Sequence, residues 1–221
     1  VAVFDTAFHQ SLPPKAYLYA LPYSLYENEG IRRYGFHGTS HSYVATQAKQ
    51  WLEENKQSSS HLITAHLGNG CSICAIKDGK SIDHSLGFAP MNGLIMGTRC
   101  GDIDPSVVLY LMDSLGYSLK ETSNLLQKES GMFGLTGLSD MRDIEEKAIK
   151  GDDVCKDALV MNAYRIKKFI GSYISVLNGL DTIIFTAGIG ENSDLIRGLV
   201  CKDMDFLGIK LDIDKNAIRS R

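Results

Sequence analysis

The 221-residue sequence predicts an α/β domain, with one further strand at its start that belongs to a neighbouring domain. Three observations carry this. An apolar strand and a hairpin lie between His61 and Ser85, a long amphipathic helix runs from Asp152 to Asn178, and a second apolar strand, Thr182 to Ala187, follows it. The two apolar strands each run straight into a glycine turn, and strands alternating with helical periodicity are the pattern of an α/β fold.

Val1-Ala2-Val3-Phe4-Asp5 reads as a buried strand with nothing ahead of it. A lone strand leaves its backbone groups unpaired, so the natural chain is expected to continue N-terminal to Val1, or the strand to borrow partners. The far end, Lys215 to Arg221, also lacks a stop signal. Leu12 to Tyr26 is interrupted by Pro13, Pro14 and Pro22 and reads as an ordered loop or short turns. Thr39-Ser40 is expected to cap a helix running to about Lys56. His61 to Leu67 is the first apolar strand, ending in Gly68-Asn69-Gly70. Asp78-Gly79 between Cys71–Lys77 and Lys80–Ser85 is a two-residue hairpin signal.

Gly87 to Gly101 is loop-like. Asp104-Pro105 then opens a helix that Gly116 closes, with Asp as N-cap and Pro at the first position. Ser118-Leu119-Lys120-Glu121 forms a capping box for the next helix, which Gly131 is expected to end. Another helix follows Ser139-Asp140. Cys155, Leu159, Ile166, Ile170, Tyr173 and Leu177 form one stripe of the long helix, which Asn178-Gly179 terminates. Ser193-Asp194 caps the helix after the last glycine turn.

Composition narrows the function. Hydrophobic residues at 44% and charged residues at 22% allow an ordinary buried core. A net charge of -3 gives no polycationic face for nucleic acid or acidic membranes, so a bound anion must be held by a few placed groups. The five cysteines leave an odd one over and lack disulfide-framework spacing, which fits a reducing compartment. No apolar run approaches membrane-spanning length and no signal peptide opens the chain, so a cytoplasmic enzyme or binding module is expected.

Leu67-Gly68-Asn69-Gly70 and Ala187-Gly188-Ile189-Gly190-Glu191-Asn192 both follow apolar strands. Glycines there let backbone N–H groups approach phosphate oxygens, and a following helix start favours anions. Either turn alone is equally readable as an ordinary tight turn; together they point to a nucleotide held between two turns. Asp5, just past a strand, suits a hydrated metal ion or a reacting group, or simply caps a loop. Gly35-Phe36-His37-Gly38-Thr39-Ser40-His41 sets two histidines around a glycine at a helix start. Without a glutamate after the first histidine the spacing is not that of a zinc helix; one histidine facing phosphate and one structural is the reading, both structural the plain alternative.

Gly97-Thr98-Arg99-Cys100-Gly101-Asp102 offers one arginine whose fork can swing onto a phosphoryl or carboxylate group, or pair on the surface with Asp102 or Asp104. Cys71-Ser72-Ile73-Cys74 lies in a strand with no second pair and reads as core packing.

Taken together, Phe4-Asp5-Thr6-Ala7-Phe8-His9, Tyr34 to His41, His66 to Gly70, Met96-Gly97-Thr98-Arg99, Asp102-Ile103-Asp104-Pro105 and Thr186 to Ser193 resemble the acetate kinase family in order and spacing over nearly the whole chain. That resemblance implies the sugar kinase, Hsp70 and actin superfamily. Its fold has two ribonuclease-H-like domains, each a mixed sheet with flanking helices, and ATP in the cleft between them. Residues 1–8 would be the last strand of the N-terminal domain and 9–221 an incomplete C-terminal, nucleotide-binding domain. The implied activity is reversible phosphoryl transfer from ATP to acetate, giving acetyl phosphate and ADP, in a cytoplasmic homodimer that needs Mg2+ or Mn2+.

Carried over position by position, Asp5 matches an active-site aspartate, and His37 and Arg99 match groups that stabilise the transferring phosphoryl. His66, Leu67, Gly68, Asn69 and Gly70 match a phosphate-binding segment. Asp140, Met141 and Arg142, with Gly188, Ile189, Gly190, Glu191 and Asn192, match the segments around the base and ribose of ATP. Phe36 and Pro90 match the pocket for acetate's methyl group. The family's remaining contributions, including a metal-binding glutamate, lie outside this chain, so no complete magnesium site is expected, Asp5 acting through water or by orientation. A propionate or butyrate kinase is the near alternative, and a non-catalytic actin-like ATP-binding module the distant one.

Overall fold

The computed structural model describes residues 2–218. Its strands β1 (His61–Leu67), β2 (Cys71–Lys77), β3 (Lys80–His84) and β4 (Thr182–Thr186) form one mixed sheet in the order β3-β2-β1-β4. β1 and β2 pair antiparallel from His61↔Lys77 to Leu67↔Cys71, and β1 pairs parallel with β4 from Leu62↔Thr182 to His66↔Thr186. Asp78 and Gly79 both adopt positive φ, 49° and 77°, the backbone that a two-residue hairpin turn matched to strand twist requires.

Helices α1 (Pro14–Tyr17), α2 (Tyr23–Glu29) and α3 (Gly38–Glu54) precede the hairpin. Between β3 and β4 come α4 (Pro105–Asp113), α5 (Leu119–Lys128), α6 (Gly131–Thr136), α7 (Met141–Ile149) and α8 (Asp153–Leu177). After β4 follow α9 (Ala187–Asn192), α10 (Asp194–Cys201) and α11 (Ile213–Ala217). The caps at Asp104, Ser118, Asp140, Asp152 and Ser193 each accept a backbone N–H as the sequence predicts. Asn178 ends α8 in the left-handed region at φ 59°, and the whole expected stripe of α8 is buried.

Alternation along β1 and β2 sorts their side chains between two layers. Ile63, Ala65, Leu67, Cys71, Ile73 and Ala75 face the apolar core built with α7, α8 and α10. Leu62, Cys74 and Ile76 face α3, packing on Ala45 and Leu52. Thr64, His66 and Ser72 share that second face and give it a polar stripe, since side chains two apart lie on the same side of a strand.

Five expectations are corrected. Residues 2–4 form no strand, and Val3 and Phe4 are 76% and 71% exposed, because no neighbouring strand pairs with them; Val1 lies outside the described residues. The Pro-rich stretch holds short helices, including the seven-residue α2 that starts directly after Pro22. Thr39-Ser40 does not cap α3, which begins at Gly38 with His37 as its left-handed N-cap at φ 55°. α5 stops at Lys128, before Gly131, and Gly131 opens α6 instead. Finally, the residues after β4 form the short helix α9, not an open glycine turn.

Candidate active site

The parallel strands β1 and β4 end side by side, which brings Gly68–Gly70 next to α9. In open α/β sheets, ligands bind in crevices outside such carboxyl ends. A cleft of about 660 Å³ opens there, lined by Gly68, Asn69, Ser139, Asp140, Met141, Arg142, Glu145, Gly188, Ile189, Asn192 and Ser193. This lies within the few-hundred to ~1,000 Å³ range of small-molecule and cofactor sites. Eight of its lining residues are nucleotide contacts expected from the sequence; Ser139, Glu145 and Ser193 are additions. Two of those additions, Ser139 and Ser193, carried a signal, because each stands at a predicted helix start.

The cleft walls are helix beginnings. Asp140 caps α7 through Arg142 N (2.9 Å) and pairs with the Arg142 guanidinium at 2.6 Å, which holds its carboxyl down to about 2. Ser193 caps α10 through Ile196 N and donates to Glu145 Oε1 at 2.5 Å. Gly188 faces open space, and a Cβ there would meet no atom within 4 Å.

Some predicted contacts do other work. Leu67 is core, and Gly190 is buried against the backbone of Phe185 and Ala65. Glu191 folds back to accept from Thr186 Oγ1 and Ala187 N, both at 3.1 Å, bracing Ala187 in a left-handed conformation at φ 64°.

Beside the cleft, His37, His66, Gly70 and Arg99 converge. A Cβ on Gly70 would lie 3.4 Å from His37 Nε2 and 3.7 Å from Arg99 Nη1, so Gly70 keeps open the space between the two side chains. The His37 and His66 rings stack with centroids 4.3 Å apart, and Ser40, freed from capping, bonds His66 Nδ1 at 2.8 Å. Asp5 supplies the missing cap of α3 from outside: its Oδ2 accepts from His37 N at 2.6 Å and its carbonyl from Gly38 N at 2.8 Å. Only glycine fits at 38, where a Cβ would sit 2.3 Å from the Asp5 carbonyl oxygen. Asp5 thus caps α3 and orients His37.

Arg99 is not paired with Asp102 or Asp104. Its Nη1 donates to the Pro90 carbonyl at 2.7 Å. Backbone hydrogen bonds hold its loop: the α6 N-terminus donates to it, Met132 N to Met96 O and Phe133 N to Gly97 O, while Cys100 N donates to Leu126 O. Gly131 lies so close that a Cβ would come within 2.2 Å of Met96 O and 2.7 Å of Arg99 O. Pro90 therefore enters the site through its carbonyl. Phe36 is half-buried against the core, and neither residue lines the cleft.

Under this floor lies a histidine layer that sequence reasoning missed, apart from His41 as a structural residue. His41 bonds Ser72 Oγ and Thr64 Oγ1, both at 2.7 Å, and His9 bonds Ser81 Oγ and the Phe36 carbonyl at 2.9 Å. The His84 ring is tilted against His9 with centroids 4.1 Å apart, and its buried Nε2 has no partner among the described residues. Burial disfavours the imidazolium throughout the layer. It holds His9 and His37 down to about 4, His66 and the adjoining Arg99 adding to the effect at His37 while Asp5 opposes it. His41 and His84 are pushed well below 6.5 for the same reason, and His66 is lowered. Burial likewise raises the Cys71 and Cys74 thiols to about 12, in keeping with core packing.

Among the described residues no group of three His, Cys, Asp or Glu side chains is placed to hold a metal ion. Of the two carboxylates that act on His66, Asp5 accepts from His37 N and Glu191 from Thr186 Oγ1 and Ala187 N.

A cleft beside a polar floor, at the carboxyl ends of parallel strands, is the layout of an α/β ligand-binding domain. The chain belongs to the Acetokinase family, whose pattern matches residues 1–221. It is 59% identical over its full length to a Flavobacterium johnsoniae protein named acetate kinase, covering 55% of that protein. It is 56% identical to a Methanosarcina mazei acetate kinase, covering 54% of it. Among solved structures, Porphyromonas gingivalis acetate kinase superposes with a TM-score of 0.93 at 46% identity, over 99% of this chain and 55% of that one. A structure described as a propionate kinase from Francisella tularensis also superposes with a TM-score of 0.93, at 48% identity over 97% of this chain and 55% of that one. The chain thus spans about half the length of the curated relatives it matches. Among the described residues no helix is long and apolar enough to cross a membrane.

Proposed function

We propose that the full-length protein carrying this chain transfers a phosphoryl group reversibly between ATP and acetate, giving ADP and acetyl phosphate. The observation that carries this is the direct contact of two parts: the cleft at Gly68–Asn69 and the His37–Gly70–Arg99 cluster one residue further on. Adenosine occupies the cleft between α7 and α9, and the phosphates extend over Gly68 to Gly70 toward His37 and Arg99.

Phosphoryl transfer spreads negative charge over the equatorial oxygens, so the protein's work is placement and electrostatics. Arg99, fixed by the Pro90 carbonyl, and neutral His37 supply donors to that charge. Acetate, a carboxylic acid of pKa roughly 4–5, is already ionised at neutral pH and needs no base. Asp5 holds the His37 backbone and takes no proton. Phe36 and Pro90 border the acetate methyl group. Magnesium or manganese bound with the nucleotide would supply neutralisation of phosphate charge.

An actin-like binding module has no use for the His37–Arg99 pairing, which favours catalysis. The likeness to a structure described as a propionate kinase supports propionate as a second, poorer substrate. A homodimer is supported by α4, which has no buried residue and exposes Val107, Leu109, Tyr110 and Met112. Residues 1–8 close a preceding domain, residues 9–221 belong to the nucleotide-binding domain, and five free cysteines fit the cytoplasm. The test is hydroxamate formation by the full-length protein from ATP, acetate and hydroxylamine. Turnover with acetate above that with propionate or butyrate is expected; ATP binding without hydroxamate would leave only the binding module.

A further inference from the structure

A line of hydrogen bonds runs from His37 into the histidine layer and ends at a buried hydroxyl. His37 Nδ1 lies 2.8 Å from Ser72 Oγ, and Ser72 Oγ lies 2.7 Å from His41 Nε2. His41 Nδ1 in turn lies 2.7 Å from Thr64 Oγ1. Thr64, Ser72 and His41 are all 0% exposed, so water does not complete any link. A hydroxyl has one hydrogen to donate, and a neutral imidazole has one N–H and one lone pair. Three arrangements satisfy every link at once, and in one of them both rings donate to Ser72, whose own hydrogen is then stranded with no acceptor among the described residues.

Directed inward, His37 Nδ1–H donates to Ser72, Ser72 to His41 Nε2, and His41 Nδ1–H to Thr64. The Thr64 hydrogen is then stranded, because His41 Nδ1 is the sole partner of Thr64 Oγ1 among the described residues. A buried donor without an acceptor is strongly disfavoured. Directed outward, Thr64 donates to His41 Nδ1, His41 Nε2–H to Ser72, and Ser72 to His37 Nδ1. Every donor now has an acceptor. The His37 hydrogen is left on Nε2, the nitrogen that faces the space kept open by Gly70 beside Arg99.

We propose that Thr64, His41 and Ser72 are positioning residues that lock neutral His37 in its Nε2–H form, so that it presents a donor and not a lone pair to the site. Burial keeps the ring neutral near pH 7, which makes the choice of tautomer decisive. With the hydrogen on Nδ1, the lone pair of Nε2 would face a phosphoryl oxygen and repel it. The consequence for rate rests on His37 meeting the phosphoryl group; the tautomer itself does not.

The experiment is imidazole 15N NMR on the full-length protein, with His37 assigned through His37→Gln. Wild type should show a protonated Nε2 and an unprotonated Nδ1 for His37. Thr64→Val removes the hydroxyl at near-constant shape and should leave a mixture of the two forms, whereas Thr64→Ser should restore the Nε2–H form. Ser72→Ala should lower kcat about tenfold or more, short of the ~10²–10³ for deleting a donor outright, with the KM for ATP within about twofold. A protonated Nδ1 in wild type overturns the proposal, as does a pure Nε2–H form in Thr64→Val. The wild-type spectrum decides even if a variant fails to fold. The Nε2–H form in wild type together with unchanged kcat in Ser72→Ala would keep the relay and remove His37 from the phosphoryl step.

Discussion

The cleft and the floor adjoin at Gly68–Gly70 yet are built on opposite principles. The cleft is lined by helix starts and exposed groups: the Arg142 side chain is 88% exposed and Gly188 looks into open space. The floor is a set of half-buried side chains fixed by hydrogen bonds from below, its histidines held neutral by burial. An open surface can adapt to a ligand and supply affinity. Donors aimed in advance, away from water, act most strongly on charge that develops during reaction. On the proposed function, binding falls to one region and rate to the other.

Breaking the floor should give the largest effects. Arg99→Ala is expected to lower turnover of the full-length protein by roughly 10³–10⁵, the range of arginines that meet a transferring phosphoryl group. Steady-state kinetics with ATP and acetate measure it, and a near-wild-type kcat would remove Arg99 from the chemistry. Gly70→Ala sharpens the comparison because its Cβ meets only ordinary contacts, 3.4 Å from His37 Nε2 and 3.7 Å from Arg99 Nη1. The fold should survive while the space for an oxygen between the two donors is lost. We expect a fall in kcat of about 10²-fold, comparable to losing one donor, and an unchanged melting temperature.

Acid should act on the floor before the cleft. His9 and His37 are held near 4 against an ordinary 6.5, and His41, His66 and His84 are lowered too. The unfolded chain therefore binds more protons than the folded one between about pH 6.5 and pH 4, and stability falls as pH drops through that window. It is fully present above it. At about 1.4 kcal/mol per pK unit, buried His9 alone contributes ~3 kcal/mol. Urea titrations at pH 7 and pH 5 check this; equal stabilities would show that the layer is already protonated or solvated. The smallest effect belongs to the cleft wall. Asp140→Ala removes the α7 cap and should cost about 1 kcal/mol of stability, seen as a lowered urea midpoint, with kcat little changed.

The same contrast governs what could be read from the sequence. Cleft elements are local: strand ends, caps and glycines announce themselves within a few residues, and β1, β2 and the α8 boundaries stand where expected. The floor is assembled from residues far apart in the chain, with Asp5, His37, Ser72 and Arg99 meeting through tertiary packing. The periodicity of β1 marked a strand but could not tell that Thr64 and His66 face a polar layer and not solvent. Asp5 capped α3 across the fold, so the local cap signal at Thr39-Ser40 misled. Gly131 looked like a helix end because a positive φ usually is one; here its missing side chain admits the Arg99 loop.

The division of labour is tested most directly by ADP affinity, titrated calorimetrically into two variants of the full-length protein. Gly188→Leu places a side chain in the cleft from a position where the first added carbon meets no other part of the protein within 4 Å. It should weaken ADP about fivefold or more, as an overpacking cost of ~1–3 kcal/mol implies. Arg99→Ala, despite its lost turnover, should bind ADP within about threefold of wild type. Undiminished binding by Gly188→Leu, or a loss of ADP affinity in Arg99→Ala as large as its loss of kcat, would contradict the account.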